Sequence, residues 1–264
     1  MALAKPTSPR LNHAHTLARG IQLALPLHNN GYKHWLTDVS NRGSDPNQLS
    51  YPPVGSMIWQ QGPSGSTLYI PNSQMSVNKA RFEGATRFSF CIGIYFNANT
   101  SGAIFSKNSN NGVMLQRFSD NVTYFRLNST SHSVNTAANA MPLQTWGHAA
   151  CRYDGSNMDI FWNGTQVART TGVTGQSIPV DGASLLIGDS GSVIQDAVFD
   201  YFYFYDRALS DNEFGMLCED PFQHLRPRRP VALLRSSGAA SSAKFRRTLS
   251  ALGSRTGARQ VHLG

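Results

Sequence analysis

The longest regular pattern of hydrophobic and polar positions lies near residue 200. Residues 193–205 are predicted to form a β-strand, and its aromatic side chains at 201–205 alternate between tyrosine and phenylalanine, which is the spacing of a strand. Phe202 and Phe204 would face one side of this strand. The opposite side would carry Tyr201, Tyr203 and Tyr205. Because both faces are rich in aromatic area, we expect the strand to lie centrally in a sheet and to be covered on both sides.

A short helix is predicted directly after this strand. Ser210 is a typical N-cap residue, and Glu213 three positions later completes a capping box. Leu209 and Phe214 occupy the two positions of a hydrophobic staple. The helix should run to about Cys218. Strand, turn and helix together would close a surface that the preceding strands build.

The preceding residues show short strand patterns separated by turn signals. Three antiparallel pairs are predicted: 112–118 with 122–127, 146–153 with 158–162, and 158–162 with 166–169. Asn163 and Gly164 favour a type I′ turn between the last two strands. Further strands are predicted at residues 21–27, 56–60, 67–70, 87–96, 103–107 and 184–187. Residues 128–143 and most of 28–66 are predicted to be loops. The pattern indicates an all-β, two-sheet antiparallel sandwich.

Three motifs, in chain order, resemble one known family. They are Phe88-Ser-Phe-Cys-Ile-Gly-Ile-Tyr-Phe with Ile104-Phe-Ser-Lys, Trp146-Gly-His-Ala-Ala-Cys-Arg-Tyr-Asp-Gly-Ser with Met158-Asp-Ile-Phe-Trp-Asn-Gly, and Phe199-Asp-Tyr-Phe-Tyr-Phe-Tyr-Asp-Arg-Ala-Leu-Ser-Asp-Asn-Glu-Phe. These motifs resemble those of the LamG-like, concanavalin A-like lectin and glucanase jelly rolls. The resemblance implies a jelly-roll sandwich with one short C-terminal helix and extended basic termini. It implies little about function, because one fold hosts many unrelated activities.

Positive charge is concentrated at the two ends of the chain. The 264 residues carry a net charge of +8, but residues 226–264 contribute +9 and residues 1–20 contribute +3. The segment between them is therefore slightly acidic, at −4. We predict three parts: a basic N-terminal arm at 1–20, a LamG-like jelly-roll domain at 21–225, and a basic C-terminal tail at 226–264.

The C-terminal tail combines its cations with scattered apolar residues and cannot form a core of its own. We predict that it becomes ordered against a partner, through Arg226, Arg228, Arg229, Arg235, Lys244, Phe245, Arg246 and Arg247. Protein is the favoured partner, because apolar anchors are of no use to a phosphate backbone. Nucleic acid is the alternative. No apolar run long enough for a membrane span or a signal peptide is found, so no membrane contact is predicted.

No catalytic constellation stands out. Hydrolases with this fold use two neighbouring carboxylates, but the chain has three glutamates in all, without a second carboxylate at strand spacing: Glu83, Glu213 and Glu219. Cys151 and His148 lie three positions apart on one strand and would point to opposite faces, so His148 is interpreted as a packed side chain. Three cysteines argue against a disulfide framework. We therefore predict that the protein is not an enzyme.

Two binding sites are weighed against simpler interpretations. No cofactor is predicted, but calcium is an alternative, held by Asp181, Asp189, Asp196 and Asp200 near one end of the sheet. The simpler interpretation gives these carboxylates roles in turns and loops. The tyrosine side of the central strand, Tyr201, Tyr203 and Tyr205, is a possible ligand face. The simpler interpretation, which we favour, is that the chain's own loops or termini cover it.

The two flanks, residues 8–27 and 220–228, resemble the ends of LamG-like proteins encoded by tailed bacteriophages and prophages. The resemblance implies a virion protein made in the bacterial host cytoplasm, which suits unpaired cysteines. The expected function is a non-enzymatic capsid decoration or accessory protein, oligomeric on the particle, whose tails bind other capsid or tail proteins. The alternative is a carbohydrate-binding adhesin that recognises host glycans. A hydrolase ranks third.

Overall fold

The computed structural model of the chain describes residues 5–6, 9–29, 34–35, 38–40, 48–50, 57–71, 74–78, 82–108, 111–128, 132–188 and 196–226. These residues form seventeen strands, one α-helix, α1 (Asp211–Glu219), and two short 3₁₀ helices, Thr16–Ala18 and Gln223–Leu225. In chain order the strands are β1 (Ile21–Leu25), β2 (His28–Asn29), β3 (His34–Trp35), β4 (Gln48–Ser50), β5 (Ile58–Gly62), β6 (Gly65–Tyr69), β7 (Met75–Asn78), β8 (Phe88–Phe96), β9 (Gly102–Lys107), β10 (Val113–Arg117), β11 (Thr123–Leu127), β12 (Ser133–Asn135), β13 (Trp146–Tyr153), β14 (Asn157–Trp162), β15 (Thr165–Thr171), β16 (Leu185–Ile187) and β17 (Ala197–Tyr205).

Two antiparallel sheets form the body of the fold. The eight-stranded sheet has the order β15-β14-β13-β8-β17-β6-β5, with β1 also paired to β17. The seven-stranded sheet has the order β12-β11-β10-β9-β16-β7-β4. The short strands β2 and β3 pair with each other. The predicted all-β, two-sheet antiparallel sandwich with one short helix is confirmed.

Aromatic side chains from both sheets fill the space between them. The ring of Phe90 on β8 stacks on that of Phe105 on β9, across the two sheets, with centroids 4.2 Å apart. Phe202 and Phe204 on β17 pack against the same ring. Burying each such side chain contributes about 1.5–3 kcal/mol. The central position of β17, and the inward orientation of its two phenylalanines, are as predicted from the alternation.

The outer face of the eight-stranded sheet carries a second apolar layer. The three tyrosines of β17 form its floor, and α1 and the two 3₁₀ helices lie over it, with Leu17, Leu209, Phe214, Leu217, Phe222 and Leu225 buried. The segment before β1 and the segment after α1 meet there: Arg10 donates its backbone N–H to the Leu225 carbonyl at 3.2 Å, and Asn12 donates its backbone N–H to the His224 carbonyl at 2.8 Å. We call residues 9–20 and 221–226 together the terminal cover.

The helix begins as predicted. The Ser210 hydroxyl accepts the backbone N–H of Glu213 at 3.3 Å, and the Glu213 carboxylate accepts that of Ser210 at 2.9 Å. Arg207 donates to both oxygens of the same carboxylate, at 2.7 and 2.9 Å. Leu209 and Phe214 are buried in the same cluster, as a hydrophobic staple requires. The helix ends at Glu219, one residue beyond the predicted end.

Most predicted strands are found within two or three residues of their expected bounds. The turn after β14 has positive φ at both Asn163 (50°) and Gly164 (78°), as a type I′ turn demands. The prediction of an unbroken loop at 128–143 is wrong, because β12 adds an edge to the seven-stranded sheet there. The strands β2, β3 and β4, in a segment predicted to be mostly loop, and the strand β7 were also not predicted. Strands β7 and β12 are short and polar on one side, and they gain their stability from a neighbouring strand.

No helix in the described part of the chain combines the length and the apolar character that a membrane span needs. Residues 228–264 lie outside the described residues, so the bounds predicted for the tail stay a prediction. Of the residues assigned to the N-terminal arm, Lys5 and Leu17 are buried against the sandwich.

Candidate ligand-binding face

The predicted tyrosine face is covered in the structure. Tyr201, Tyr203 and Tyr205 are each at most 1% exposed. Phe222 packs edge-on against Tyr201, with ring centroids 5.9 Å apart, and His224 packs edge-on against Tyr203 at 4.9 Å. The ligand interpretation of this face is therefore wrong for the folded chain, because the terminal cover leaves no ring accessible. The favoured interpretation, a face covered by the chain's own segments, agrees with the structure.

The candidate nucleophiles lie in apolar surroundings. Nδ1 of His148 lies 2.9 Å from the Tyr201 hydroxyl under α1, while Cys151 points into the core between the sheets, so the two face opposite sides as predicted. Burial lowers the pKa of His148 and raises that of Cys151. Burial also raises the pKa of Cys218 to about 12. These thiols are therefore protonated at neutral pH and are poor nucleophiles.

The three glutamates hold separate positions. Glu83 forms an ion pair with Lys107 at 2.9 Å, Glu213 is held by Arg207 and Ser210, and Glu219 ends α1. The carboxylate of Glu83 therefore has a structural role in an ion pair, and that of Glu213 has a structural role in the helix cap. The described structure thus brings no pair of glutamates together in the arrangement that glycoside hydrolysis uses.

The aspartates weighed as calcium ligands are engaged by protein groups. Asp181 binds Lys107 and Asn108, and these contacts lower its pKa to about 2. Asp196 accepts from the Asn97 side chain at 2.8 Å. Asp189 lies outside the described residues. Across the residues that the structure describes, no group of three potential metal ligands forms.

Asp200 forms a buried ion pair that no sequence pattern predicts. Its carboxylate lies 2.6 Å from Nζ of Lys5 and accepts the Ser64 hydroxyl at 2.5 Å. Nζ of Lys5 also donates to the Leu27 carbonyl at 3.1 Å. Desolvation by burial lowers the pKa of Lys5, and the charge of Asp200 opposes this shift. The pair fixes the N-terminal residues at the irregularity of β17 between Phe199 and Tyr201, which gives Asp200 a structural role.

Most residues predicted to bind a partner lie beyond the described chain. Arg226 forms an ion pair with Asp220 at the end of the terminal cover. The remainder lie outside the described residues, namely Arg228, Arg229, Arg235, Lys244, Phe245, Arg246 and Arg247.

The outer face of the seven-stranded sheet offers a different candidate. On β11 the side chains of Phe125 and Leu127 are buried in the core, and the alternating Tyr124 and Arg126 are half-buried on the outside. Phe118, which follows β10, packs edge-on against Tyr124 with ring centroids 4.7 Å apart. This face therefore presents aromatic area to its surroundings, whereas the tyrosine face does not.

Polar side chains surround these rings across neighbouring strands. Gln116 lies opposite Tyr124, which in turn lies opposite Asn135, and Arg126 lies opposite Ser133. We call this group the binding patch: Gln116, Phe118, Tyr124, Arg126, Ser133 and Asn135. It offers two half-buried aromatic rings, the exposed amide of Asn135, a hydroxyl and a guanidinium, a mixture that can pack on a sugar ring and hydrogen-bond its hydroxyls. Gln116 is only 9% exposed and lies at the base of the patch. The predicted hairpin of residues 112–118 and 122–127 contains Tyr124 and Arg126, but sequence reasoning did not single out either residue.

The model of one protein family, the concanavalin A-like lectin/glucanases superfamily, matches residues 68–214 of this chain. In a comparison with curated proteins, no protein matched the sequence. The described fold is similar to solved structures, and those reported below share 12–16% sequence identity with this chain, so the likeness to them concerns the fold alone.

Three of these structures are binding domains or carry a bound sugar. The binding domain of Paraclostridial mosquitocidal protein 1 has a TM-score of 0.62 at 16% identity, over 79% of this chain and 54% of that one. Domain 4 of AbnA, a GH43 extracellular arabinanase from Geobacillus stearothermophilus, in complex with arabinotriose, has a TM-score of 0.59 at 15% identity, over 75% and 98%. The ligand binding domain of botulinum neurotoxin serotype D, in complex with N-acetylneuraminic acid, has a TM-score of 0.60 at 12% identity, over 76% and 51%. The present chain thus spans about half the length of the mosquitocidal and neurotoxin binding domains.

Proposed function

Because the chain belongs to the concanavalin A-like lectin/glucanases superfamily, we propose that it is a non-enzymatic carbohydrate-binding protein that recognises sugars through the binding patch. The observation that carries this proposal is the grouping of two half-buried aromatic rings with polar side chains on the outer face of the seven-stranded sheet. The tyrosines of β17 are sealed by the terminal cover, whereas Phe118 and Tyr124 lie beside amide, hydroxyl and guanidinium groups. Two proteins of the same fold are known with a bound sugar, arabinotriose in one and N-acetylneuraminic acid in the other.

The chemistry of the patch suits recognition rather than turnover. Aromatic rings pack against the C–H faces of sugar rings, and planar amides reach pairs of neighbouring hydroxyls. General acid and base catalysis would need two carboxylates beside the scissile bond, and none of the six patch residues is acidic. A β-glucan hydrolysis activity that Glu83→Gln, Glu213→Gln or Glu219→Gln abolished would contradict the non-enzymatic part of the proposal.

The test is a glycan-binding screen with the full chain and two patch variants. Phe118→Ala and Tyr124→Ala should each weaken sugar binding at least about tenfold, since burying an aromatic side chain contributes roughly 1.5–3 kcal/mol. Tyr95→Ala is a matched control, because Tyr95 is also half-buried beside an aromatic residue, Trp146, on the other sheet. Full binding by both patch variants, or no binding of any sugar by the full chain, would overturn the proposal.

A second proposal concerns the assembly to which the protein belongs. We infer that it is a component of a bacteriophage virion, most consistent with a capsid decoration protein made in the host cytoplasm. The supporting observations are the phage-like flanks and the concentration of positive charge in residues 226–264. In addition, residues 10 and 225 are hydrogen-bonded on the face opposite the binding patch. Attachment to a particle through this face would leave the binding patch facing away from the particle.

Mass spectrometry of purified particles distinguishes the possible locations. A copy number close to that of the major capsid protein would support decoration of the head, in contact with other virion proteins. A few copies per particle would support a tail adhesin that reads host glycans. Absence from washed particles would remove the virion from the proposal and leave carbohydrate binding to be judged on its own.

A further inference from the structure

Arg126 occupies an unusual position within the binding patch. Its guanidinium carbon lies 5.6 Å from the ring centroid of Phe118 and 5.5 Å from that of Tyr124. The two rings attract the cation through their π faces, and they restrict the side chain to one region of the sheet surface. A guanidinium held in this way loses little further freedom when it binds a partner.

No carboxylate of the described residues neutralises this cation. By contrast, Arg152 and Arg169 pair with Asp159, and Arg207 pairs with Glu213. The direct cross-strand neighbours of Arg126 are the uncharged Met114 and Ser133. The one acid of its own hairpin, Asp120, uses a carboxylate oxygen to accept the backbone N–H of Val122 at 3.0 Å.

We propose that the binding patch selects sugars that carry a carboxylate, with Arg126 as the residue that binds it. This inference rests on the carbohydrate-binding function proposed above. The planar guanidinium presents two parallel N–H groups that match the two oxygens of a carboxylate, which a lysine cannot do. The ring of Tyr124 or Phe118 would pack against the ring of the same acidic sugar, and the exposed amide of Asn135 would bind its hydroxyls. The ligand class is a uronic acid or a sialic acid.

The experiment uses sugar pairs that differ in the acid group. The full chain is titrated with trigalacturonic acid and its methyl ester, and with sialyllactose and lactose, at fixed ionic strength. We expect one of the acids to bind roughly 10- to 100-fold more tightly than its neutral counterpart, since a hydrogen bond to a charged group contributes about 1.5–3 kcal/mol. The acid that binds identifies the source of the carboxylate.

Variants separate direct binding from general attraction between charges. Arg126→Gln should remove the preference for the acid while leaving the weaker binding of the neutral sugar in place. Arg126→Lys should restore only part of the preference, because it keeps the charge and loses the paired geometry. Arg87→Gln is the control: this exposed arginine lies just before β8, outside the patch, and its removal changes the net charge by the same amount.

The outcomes for the two proposals are distinct. Equal binding of acid and neutral sugars that still depends on Tyr124 would overturn the acidic selectivity and leave carbohydrate binding intact. An acid preference lost equally in Arg87→Gln and Arg126→Gln would also overturn it, because attraction by net charge would then suffice. Failure of every sugar to bind would overturn both proposals.

Discussion

His224, a residue of the terminal cover, is buried without hydrogen-bond partners for its side chain in the described part of the chain. The imidazole is fully buried beside the ring of Tyr203, and neither ring nitrogen has a hydrogen-bond partner among the described residues. Burial lowers the pKa of His224 to about 3, and the nearby His15 acts in the same direction. The hydroxyls of Tyr203 and Tyr205 are likewise buried without a described partner. A charged imidazole would be strongly destabilised in these surroundings.

This burial predicts a loss of stability in mild acid. The pKa of an unfolded histidine is about 6.5, so below that pH the unfolded chain binds a proton that folded His224 rejects. The free energy of unfolding should fall by up to about 1.4 kcal/mol per pH unit between pH 6.5 and 3. His148, whose pKa burial also lowers, adds to the same trend.

Urea unfolding between pH 7.5 and 4.5 measures this slope. His224→Gln should lower stability at pH 7.5 and give a flatter dependence on pH, because the substituted side chain does not titrate. His132→Gln, in a half-buried histidine ahead of β12, serves as the control and should keep the slope of the unaltered protein. A His224→Gln slope as steep as that of the unaltered protein would show that His224 is not the group responsible.

At the scale of single elements, features that depend on neighbouring residues were predicted from the sequence, and features that depend on long-range contacts were not. The capping box of α1 and the type I′ turn after β14 depend on residues within a few positions of each other, and both were predicted. The short strand β7 has little pattern of its own and was missed. The covering of Tyr203 depends on residues at both ends of the domain, and the Lys5–Asp200 pair joins positions that no periodicity connects. The binding patch was missed because its members become neighbours only through strand register.

The start of α1 gives a direct prediction. Ser210→Ala should lower the free energy of unfolding by about 0.5–2 kcal/mol, since the backbone N–H of Glu213 loses its acceptor. Glu213→Ala should cost more than Ser210→Ala, because it also leaves Arg207 without its carboxylate. The double variant should cost less than the sum of the two, because both residues serve one cap.

Thermal and chemical unfolding of these variants measure the effect. Asn212→Ala is the matched control, since Asn212 is exposed in the same turn and alanine favours a helix, so its stability should be unchanged or slightly raised. Additive losses at positions 210 and 213 would mean that the two side chains stabilise the helix independently.

At the scale of the whole molecule, the first and last parts of the described domain pack together. Strand β1 pairs with the last strand, β17, and the terminal cover lies over the tyrosines of that strand. Phe222, His224 and Leu225 are fully buried. The sandwich therefore depends on residues that lie only just before the basic tail.

Two truncations should differ sharply for this reason. A chain that ends after Arg226 keeps every residue of the terminal cover and should unfold at nearly the temperature of the full chain. A chain that ends after Asp220 loses Phe222 and Leu225, and its free energy of unfolding should fall by more than about 3 kcal/mol, since deleting one such buried side chain already costs about 2–5 kcal/mol. Differential scanning calorimetry of the three chains makes the comparison. Equal stability of the two truncated chains would mean that the cover adds nothing to the sandwich.

The pairing of β1 with β17 also sets the order in which a growing chain can fold. Ile21 leaves the ribosome early, but its partner Tyr205 is made near the end of the domain, and Leu225 later still. Until then β8 has only β13 beside it, and its edge meant for β17 stays unpaired. Such long-range pairing slows folding, and it leaves unpaired strand edges that can aggregate with other chains. The domain should therefore need protection by chaperones for most of its synthesis, and its first strand should be among the last to find a partner.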